Sequence, residues 1–129
     1  MELIVDTGGQ DEWQQAVAGL EDEPECGSRC DVCFLVRLRH AARKASELGC
    51  EAFTTTLTIS PHKSLDRVAS AGDRAAAESG VRFLPEDFKK HSGFSQSVEL
   101  SKQHDLYRQR YCGCVYSMPD VGERPDVSQ

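Results

Sequence analysis

Apolar positions recur at helical spacing over residues 34–48. They step by three and four residues along one face, arginine and lysine occupy the rest, and Gly49 follows as a stop signal. Ser28, three residues before Asp31, predicts the N-terminal cap of this helix. The sequence therefore places Cys30 in the first helical turn.

Three further helices are predicted by the same spacing. The clearest spans about 65–79, with Ser64 as its cap and Gly80 as its terminator. Shorter helices are predicted over 11–20 and 94–103.

Short apolar or β-branched runs predict strands between these helices. They lie at 3–5, 53–59 and 81–84. Strands that alternate with helices predict an α/β domain with a mainly parallel sheet and flanking helices. We assign this domain to residues 1–117, and 118–129, which is poor in apolar residues, to a flexible tail.

Composition indicates one cytoplasmic domain. The chain has 129 residues, enough for a core without disulfide staples, and has neither a leader-like start nor a bilayer-length apolar run. Its net charge is -6, but the acidic excess lies in 1–31 and 117–129, which leaves a net +4 over 32–116. A basic central body is compatible with a phosphate-rich partner.

Four of the six cysteines form two close pairs, Cys30 with Cys33 and Cys112 with Cys114. In a reducing compartment such pairs are typical of metal ligands or catalytic dithiols. Cys30 and Cys33 lie one turn apart at a helix N-terminus, where the helix dipole favours thiolates, so we expect both to ionise readily and to bind iron or zinc. Packing of Cys33 beside Phe34 is the plainer alternative.

The second pair has a different geometry. A disulfide between Cys112 and Cys114 closes a small, strained ring and is easily reduced, which favours an electron relay. Alternatively, these two thiols complete a four-cysteine zinc site with the first pair. We expect Cys50 in the core and assign no ligand role to the four histidines.

A third interpretation includes Cys26. With Cys30 and Cys33 it has the CxxxCxxC spacing of radical enzymes that cleave S-adenosylmethionine. Those enzymes carry the triad in a loop of a large barrel, whereas here two of the cysteines enter a helix and the chain is too short for a full barrel.

Six sequence blocks together carry a more specific signal. They are GLEDEPE at 19–25, RCDVCF at 29–34, RLR at 37–39, FTTTLTISPHK at 53–63, FLPEDFKK at 83–90 and LYRQRYCGC at 106–114. In this order they resemble the QueH type of epoxyqueuosine reductase.

The resemblance implies a step of tRNA modification in the cytoplasm, the reductive removal of the epoxide oxygen of epoxyqueuosine to give queuosine. It implies that Cys30 and Cys33 are ligands of a 4Fe-4S cluster and that Cys112 and Cys114 are a redox-active dithiol. The implied partners are tRNA and an electron donor. Four side chains near the second pair are candidates for stacking on or steering a nucleotide, and a solvated polar helix end is the plainer alternative; they are Tyr107, Arg108, Arg110 and Tyr111.

One part of the family pattern has no counterpart. The family carries an adjacent Cys-Cys pair after an N-terminal strand, and the pair supplies further cluster ligands, but this sequence has no adjacent cysteines. We therefore expect a chain that lacks the family's N-terminal segment, with an incomplete sheet edge there. Cys26 as a substitute ligand is a separate hypothesis.

Overall fold

The computed structural model describes residues 1–24, 26–61, 63–108, 112 and 114–117. Within them lie four α-helices: α1 (Gln10–Ala16), α2 (Ser28–Glu47), α3 (Leu65–Ser79) and α4 (Gly93–Gln103). Strands β1 (Ala52–Phe53) and β2 (Arg82–Phe83) pair in parallel, and 3₁₀ turns cover Leu57–Ile59 and Val115–Ser117. The predicted α/β class is confirmed, with a parallel sheet of two strands in the described part. The predicted tail at 118–129 lies outside the described residues.

Helix α2 begins without a side-chain cap. Gly27 occupies the N-cap position and Ser28 is already helical, so the predicted cap by Ser28 and Asp31 is wrong. The Asp31 carboxylate instead accepts a 2.7 Å hydrogen bond from Arg67 Nε on α3. The predicted position of Cys30 in the first turn is confirmed, and Gly49, with φ 73°, ends the helix as expected.

Helix α3 has the bounds that the sequence predicts. The Ser64 hydroxyl accepts a hydrogen bond from the Arg67 amide, and Gly80 takes the left-handed conformation at the C-cap. Both signals are local, which explains why they could be read without knowledge of the tertiary structure.

The main core lies between α2, α3 and the sheet. Gly72 allows α3 to lie close to β2, because a Cβ atom at this position would lie 2.5–2.6 Å from three ring carbons of Phe83. The Phe83 ring, which is 6% exposed, also packs at 5.3 Å against the ring of Phe53 on β1. A glycine inside α3 thus lets the helix lie directly on the sheet.

The threonine-rich run after β1 does not continue as the predicted strand to residue 59. Backbone pairing ends at Phe53, and side chains tie the run to the segment after β2: Thr54 Oγ1 donates to the Leu84 carbonyl and Thr58 Oγ1 to the Glu86 carbonyl, both at 2.7 Å. Pro85 follows β2 and has no N–H to extend the ladder.

Other local expectations also differ from the structure. The predicted strand at 3–5 is wrong, since these three residues are irregular and 45–85% exposed, with no strand beside them among the described residues. Helix α1 is shorter than the predicted 11–20 because the chain turns at Gly19, which has φ 88°. Cys50 is exposed rather than buried. None of the described helices could cross a membrane.

Candidate cysteine site

The first cysteine pair lies half-buried at the start of α2. The Cys26 amide donates to Cys30 Sγ at 3.2 Å, and Arg37 Nε, one turn along the helix, donates to Cys33 Sγ at 3.2 Å. Each sulfur of the pair therefore receives an N–H donor, the arrangement that stabilises anionic sulfur.

Arg67 on α3 fixes the loop that precedes this pair. Its guanidinium donates to the carbonyls of Cys26 at 2.6 Å and Gly27 at 2.9 Å, as well as to Asp31. The hydrogen bond with Asp31 raises the pKa of Arg67 above its already high ordinary value, so the Arg67 guanidinium remains charged. Cys26 itself has φ 69°, a left-handed conformation that these contacts maintain.

Arg29, beside the first pair, is almost wholly buried at 2% exposure. Its Nη1 atom donates to the carbonyls of Leu20, Glu21 and Glu23 and so closes the acidic loop before α2. The guanidinium carbon also lies 5.5 Å from the ring centre of Tyr116, two residues after Cys114. One side chain therefore joins the segments that carry the two cysteine pairs.

The second pair enters a small apolar cluster beneath α1. Cys114 is buried there with Trp13, Val17 and Val36, and Val32, Cys33 and Cys112 pack against them. The Trp13 and Tyr116 rings are stacked, with centroids 6.0 Å apart and 18° between planes. The fold thus brings Cys33 of the first pair and both cysteines of the second to one cluster, although they are far apart in sequence.

Electrostatics links the two pairs as well. Burial raises the pKa of the Cys30 thiol, and the charges of Cys112 and Cys26 act in the same direction. The expectation that Cys30 ionises readily is therefore wrong, since the effect of burial on its pKa exceeds that of the hydrogen bond from the Cys26 amide, which acts in the opposite direction.

Two cations lie beside the sulfurs without a carboxylate partner among the described residues. Arg37 contacts Cys33, and Lys63 Nζ lies 3.9 Å from Cys112 Sγ. Lys89 fixes the Lys63 segment by donating to the carbonyls of Lys63 and Thr58 at 2.9 and 2.7 Å.

No three metal-binding side chains converge in the part of the chain that the structure describes. The triad of Cys26, Cys30 and Cys33 and the four-cysteine zinc arrangement are thus not formed there as metal sites. Cys30 and Cys33 fit a cluster as two of its ligands: both are sulfur donors on one face of one turn, and both receive N–H donors.

Of the residues expected to contact a nucleotide, Tyr107 and Arg108 are described. Tyr107 is 43% exposed. Arg108 binds back to α4, donating to Ser101 Oγ at 2.9 Å and lying 5.6 Å from the Phe94 ring centre. Arg110 and Tyr111 lie outside the described residues.

Sequence reasoning missed the residues that assemble the site. Arg67, Trp13 and Tyr116 lie outside the six sequence blocks, and Arg29 lies in one of them without a role assigned to it. The contacts by which these residues assemble the site join positions that are distant in sequence. The sequence offers one signal, the arginine directly before Cys30. Negative charges stabilise the start of a helix, so a positively charged side chain there needs a specific partner.

Comparison with known proteins gives one consistent result. A family model described as epoxyqueuosine reductase QueH matches residues 1–120. Proteins named epoxyqueuosine reductase QueH are similar to the chain: that of Streptococcus pyogenes is 48% identical over 82% of this chain and 42% of its own length, and that of Acinetobacter baylyi is 38% identical over 86% and 51%. The Thermotoga maritima protein is 37% identical over 87% and 58%. The chain spans about half the length of the curated relatives it matches.

Proposed function

Because this chain belongs to the epoxyqueuosine reductase QueH family, we propose that it carries the thiol centre of an enzyme that reduces epoxyqueuosine in tRNA. In this reaction the epoxide accepts two electrons and two protons. Both carbon–oxygen bonds of the ring break, a carbon–carbon double bond forms, and the oxygen leaves as water. The observation that carries the proposal is that Cys33, Cys112 and Cys114 meet at one apolar cluster.

Cys30 and Cys33 have the role of cluster ligands in this proposal. A 4Fe-4S cluster, when bound, supplies single electrons. The donors from the Cys26 amide and from Arg37 match this role, because hydrogen bonds to ligand sulfurs stabilise their negative charge. The remaining ligands come from outside the residues that the structure describes.

Cys112 and Cys114 have the role of the dithiol. Two thiols store the two electrons that the epoxide requires and give them up as one disulfide bond forms. Burial of Cys114 in the cluster restricts water, while Cys112 is half-buried and lies beside Lys63. Cys112 is therefore the sulfur of the pair that solvent and substrate reach more easily.

Recognition of tRNA is assigned to the cations around this centre. Arg37 and Lys63 have no carboxylate partner among the described residues, so they are available to phosphate oxygens. Tyr107 adds an exposed aromatic ring on which an unstacked base can lie. Together they support the binding of a splayed anticodon nucleotide; the electron donor is a separate partner.

Anaerobic reconstitution tests the proposal. The protein, loaded with iron and sulfide, is incubated with epoxyqueuosine-containing tRNA and dithionite, and the nucleosides are analysed by mass spectrometry. Conversion to queuosine is expected. Cys112→Ser should abolish conversion and retain the iron, Cys30→Ser should lose iron, and Cys50→Ser, which changes an exposed cysteine, should leave both unchanged.

Two results would contradict the proposal. One is colourless protein that retains one zinc and no sulfide after anaerobic purification, which would indicate a structural zinc module. The other is full conversion by the Cys112→Ser protein, which would remove the dithiol from the reaction.

A further inference from the structure

Cys26 is an exposed cysteine in the loop before α2, and its backbone contacts the first cysteine pair. The Cys26 amide donates a 3.2 Å hydrogen bond to Cys30 Sγ. The Cys26 side chain branches from the Cα atom next to this nitrogen, so the Cys30 sulfur lies beside the base of the Cys26 side chain. Cys30 therefore has a neighbouring thiol that does not belong to the CxxC pair.

The backbone at Cys26 is held in a conformation that a side chain disfavours. Its φ angle is 69°, in the left-handed region that residues other than glycine rarely adopt. Arg67 fixes this turn by donating to the carbonyls of Cys26 at 2.6 Å and of Gly27 at 2.9 Å. Strained residues of this kind persist only where their surroundings hold them, and they cluster at functional sites. The turn thus keeps Cys26 next to Cys30.

The other cysteines near Cys30 have different surroundings. Cys33 Sγ accepts its hydrogen bond from Arg37, one turn further along α2, whereas Cys30 Sγ accepts from the loop before the helix. Cys30 packs against the main core, while Cys33 and Cys112 pack against the smaller cluster that contains Cys114. Burial and the charge of Cys112 both raise the pKa of the Cys30 thiol, so a bond between Cys30 and Cys112 is the alternative that an experiment has to exclude.

We infer that Cys26 and Cys30 form a disulfide bond when the first cysteine pair holds no cluster, and that this bond prevents Cys30 from acting as a ligand. This effect of the bond rests on the ligand role proposed above for Cys30. The oxidant is a small-molecule disulfide such as glutathione disulfide. The Cys26 thiolate attacks one of its sulfurs and releases one glutathione, and Cys30 then attacks the Cys26 sulfur and releases the second. The two protein thiols lose two electrons and two protons, and glutathione disulfide becomes two molecules of glutathione.

Such a bond protects a ligand thiol from permanent damage. Oxidation of a cysteine to the sulfinic or sulfonic acid is not reversed by thiols, whereas a disulfide is. The exposed Cys26 is the sulfur that a small oxidant reaches first, and the half-buried Cys30 follows by an intramolecular step.

Peptide mapping tests the bond. The full chain, purified anaerobically with a chelator, is equilibrated in glutathione buffers, alkylated and digested with trypsin, which cleaves after Arg29 and Arg37. A bond from Cys26 joins peptide 1–29 to peptide 30–37, whereas a bond between Cys30 and Cys33 lies within peptide 30–37. The joined peptide is expected in the natural protein and in Cys33→Ser, where Cys30 is the one cysteine left in peptide 30–37. It should be absent in Cys26→Ser.

Cobalt(II) titration tests the effect on the ligand site, because sulfur-to-cobalt charge-transfer absorption reports thiolate ligands without added sulfide or thiol. Oxidation should lower this absorption several-fold in the natural protein, and re-reduction should restore it. Oxidised Cys26→Ser should retain the absorption that Cys30 contributes. Cys50→Ser, which changes another exposed cysteine, is the matched control and should respond to oxidation like the natural protein. Circular dichroism checks that each protein is folded.

Absence of the joined peptide at every glutathione ratio, or a bond from Cys30 to Cys33 or Cys112 in its place, would overturn the inference while the ligand role stands. Equal loss of cobalt binding in oxidised natural protein and oxidised Cys26→Ser would remove the blocking effect. Weaker cobalt binding by reduced Cys26→Ser would make Cys26 a ligand instead. If reduced Cys30→Ser binds cobalt like the natural protein, the ligand role itself fails, and the blocking effect falls with it.

Discussion

Replacement of Gly72 by alanine should destabilise the protein, although alanine has the highest helix propensity of all residues. In an open helix, replacement of glycine by alanine stabilises by about 1 kcal/mol. At Gly72 the new methyl group would lie 2.5–2.6 Å from three carbons of the Phe83 ring, whereas carbon atoms in contact normally lie about 3.5–4.0 Å apart. The methyl group and the ring therefore need about 1 Å more space.

The ring has little room to yield, because Phe83 is buried against Phe53. Overpacking of a filled core typically costs about 1–3 kcal/mol, and an overlap with three atoms of a rigid ring belongs at the upper end. After subtraction of the gain in helix propensity, Gly72→Ala should lower the free energy of unfolding by about 2 kcal/mol.

Urea denaturation followed by circular dichroism measures this loss, and Phe83→Val supplies the control. Without the ring, Gly72→Ala should cost nothing and should stabilise by up to about 1 kcal/mol. The double-mutant cycle should therefore give a coupling energy of about 2–3 kcal/mol. If Gly72→Ala stabilises the protein that retains Phe83, the account of the contact between α3 and the sheet is refuted.

Three further predictions concern charged side chains. Arg29→Met should lower the free energy of unfolding by about 3 kcal/mol, which urea denaturation measures. This is the value of roughly two hydrogen bonds from a charged donor, since the two protons of Nη1 are shared by three carbonyls. Arg67→Met should lower the iron content after anaerobic reconstitution several-fold, because the loop before α2 loses its hydrogen bonds to the Arg67 guanidinium. Arg74→Met, which changes an exposed position of the same helix, is the control and should leave the iron content unchanged. The hydrogen bond from Arg39 holds the pKa of Glu78 below its ordinary value of 4.5. The stability that this pair contributes is therefore complete above pH 4.5 and is lost as the pH falls through the lowered pKa. The thermal denaturation temperatures of wild type and Glu78→Gln should accordingly differ at pH 7 and converge in acid.

Each of these predictions has a contrary outcome. Unchanged stability of Arg29→Met would mean that the acidic loop is held by other contacts. Equal iron content in the Arg67→Met and Arg74→Met proteins would separate the clamp from metal binding. A stability difference between wild type and Glu78→Gln that grows as the pH falls would contradict the pH dependence derived for this pair. The raised pKa of Arg39 keeps its charge constant over this range, so that residue adds no pH dependence of its own.

What could be predicted from the sequence was local. The bounds of α3 follow from Ser64 and Gly80, which act on their own helix. The placement of Cys30 in the first turn of α2 is confirmed, although the cap by Ser28 and Asp31 from which it was inferred is wrong. The predicted strand at 3–5 failed because an apolar run becomes a strand only beside another strand, and none lies beside it among the described residues.

The candidate site was predictable as two cysteine pairs but not as one place. Their meeting depends on Trp13 stacking on Tyr116 and on buried Arg29 contacting the same ring. Tryptophan and tyrosine are usually core residues, and no spacing rule connects positions so far apart. The pKa of Cys30 was misjudged for the same reason, since its burial is a tertiary property.

The contact between Trp13 and Tyr116 also has a consequence for the order of folding. It closes a loop that contains almost the entire described chain, and loops of this length close late because their ends meet rarely in the unfolded ensemble. The helices and the short sheet can form from nearer contacts, but the two thiol pairs come together only when this last contact is made. We therefore expect partly folded molecules to keep the two pairs apart, so that the cluster of Cys33, Cys112 and Cys114 assembles only as folding is completed.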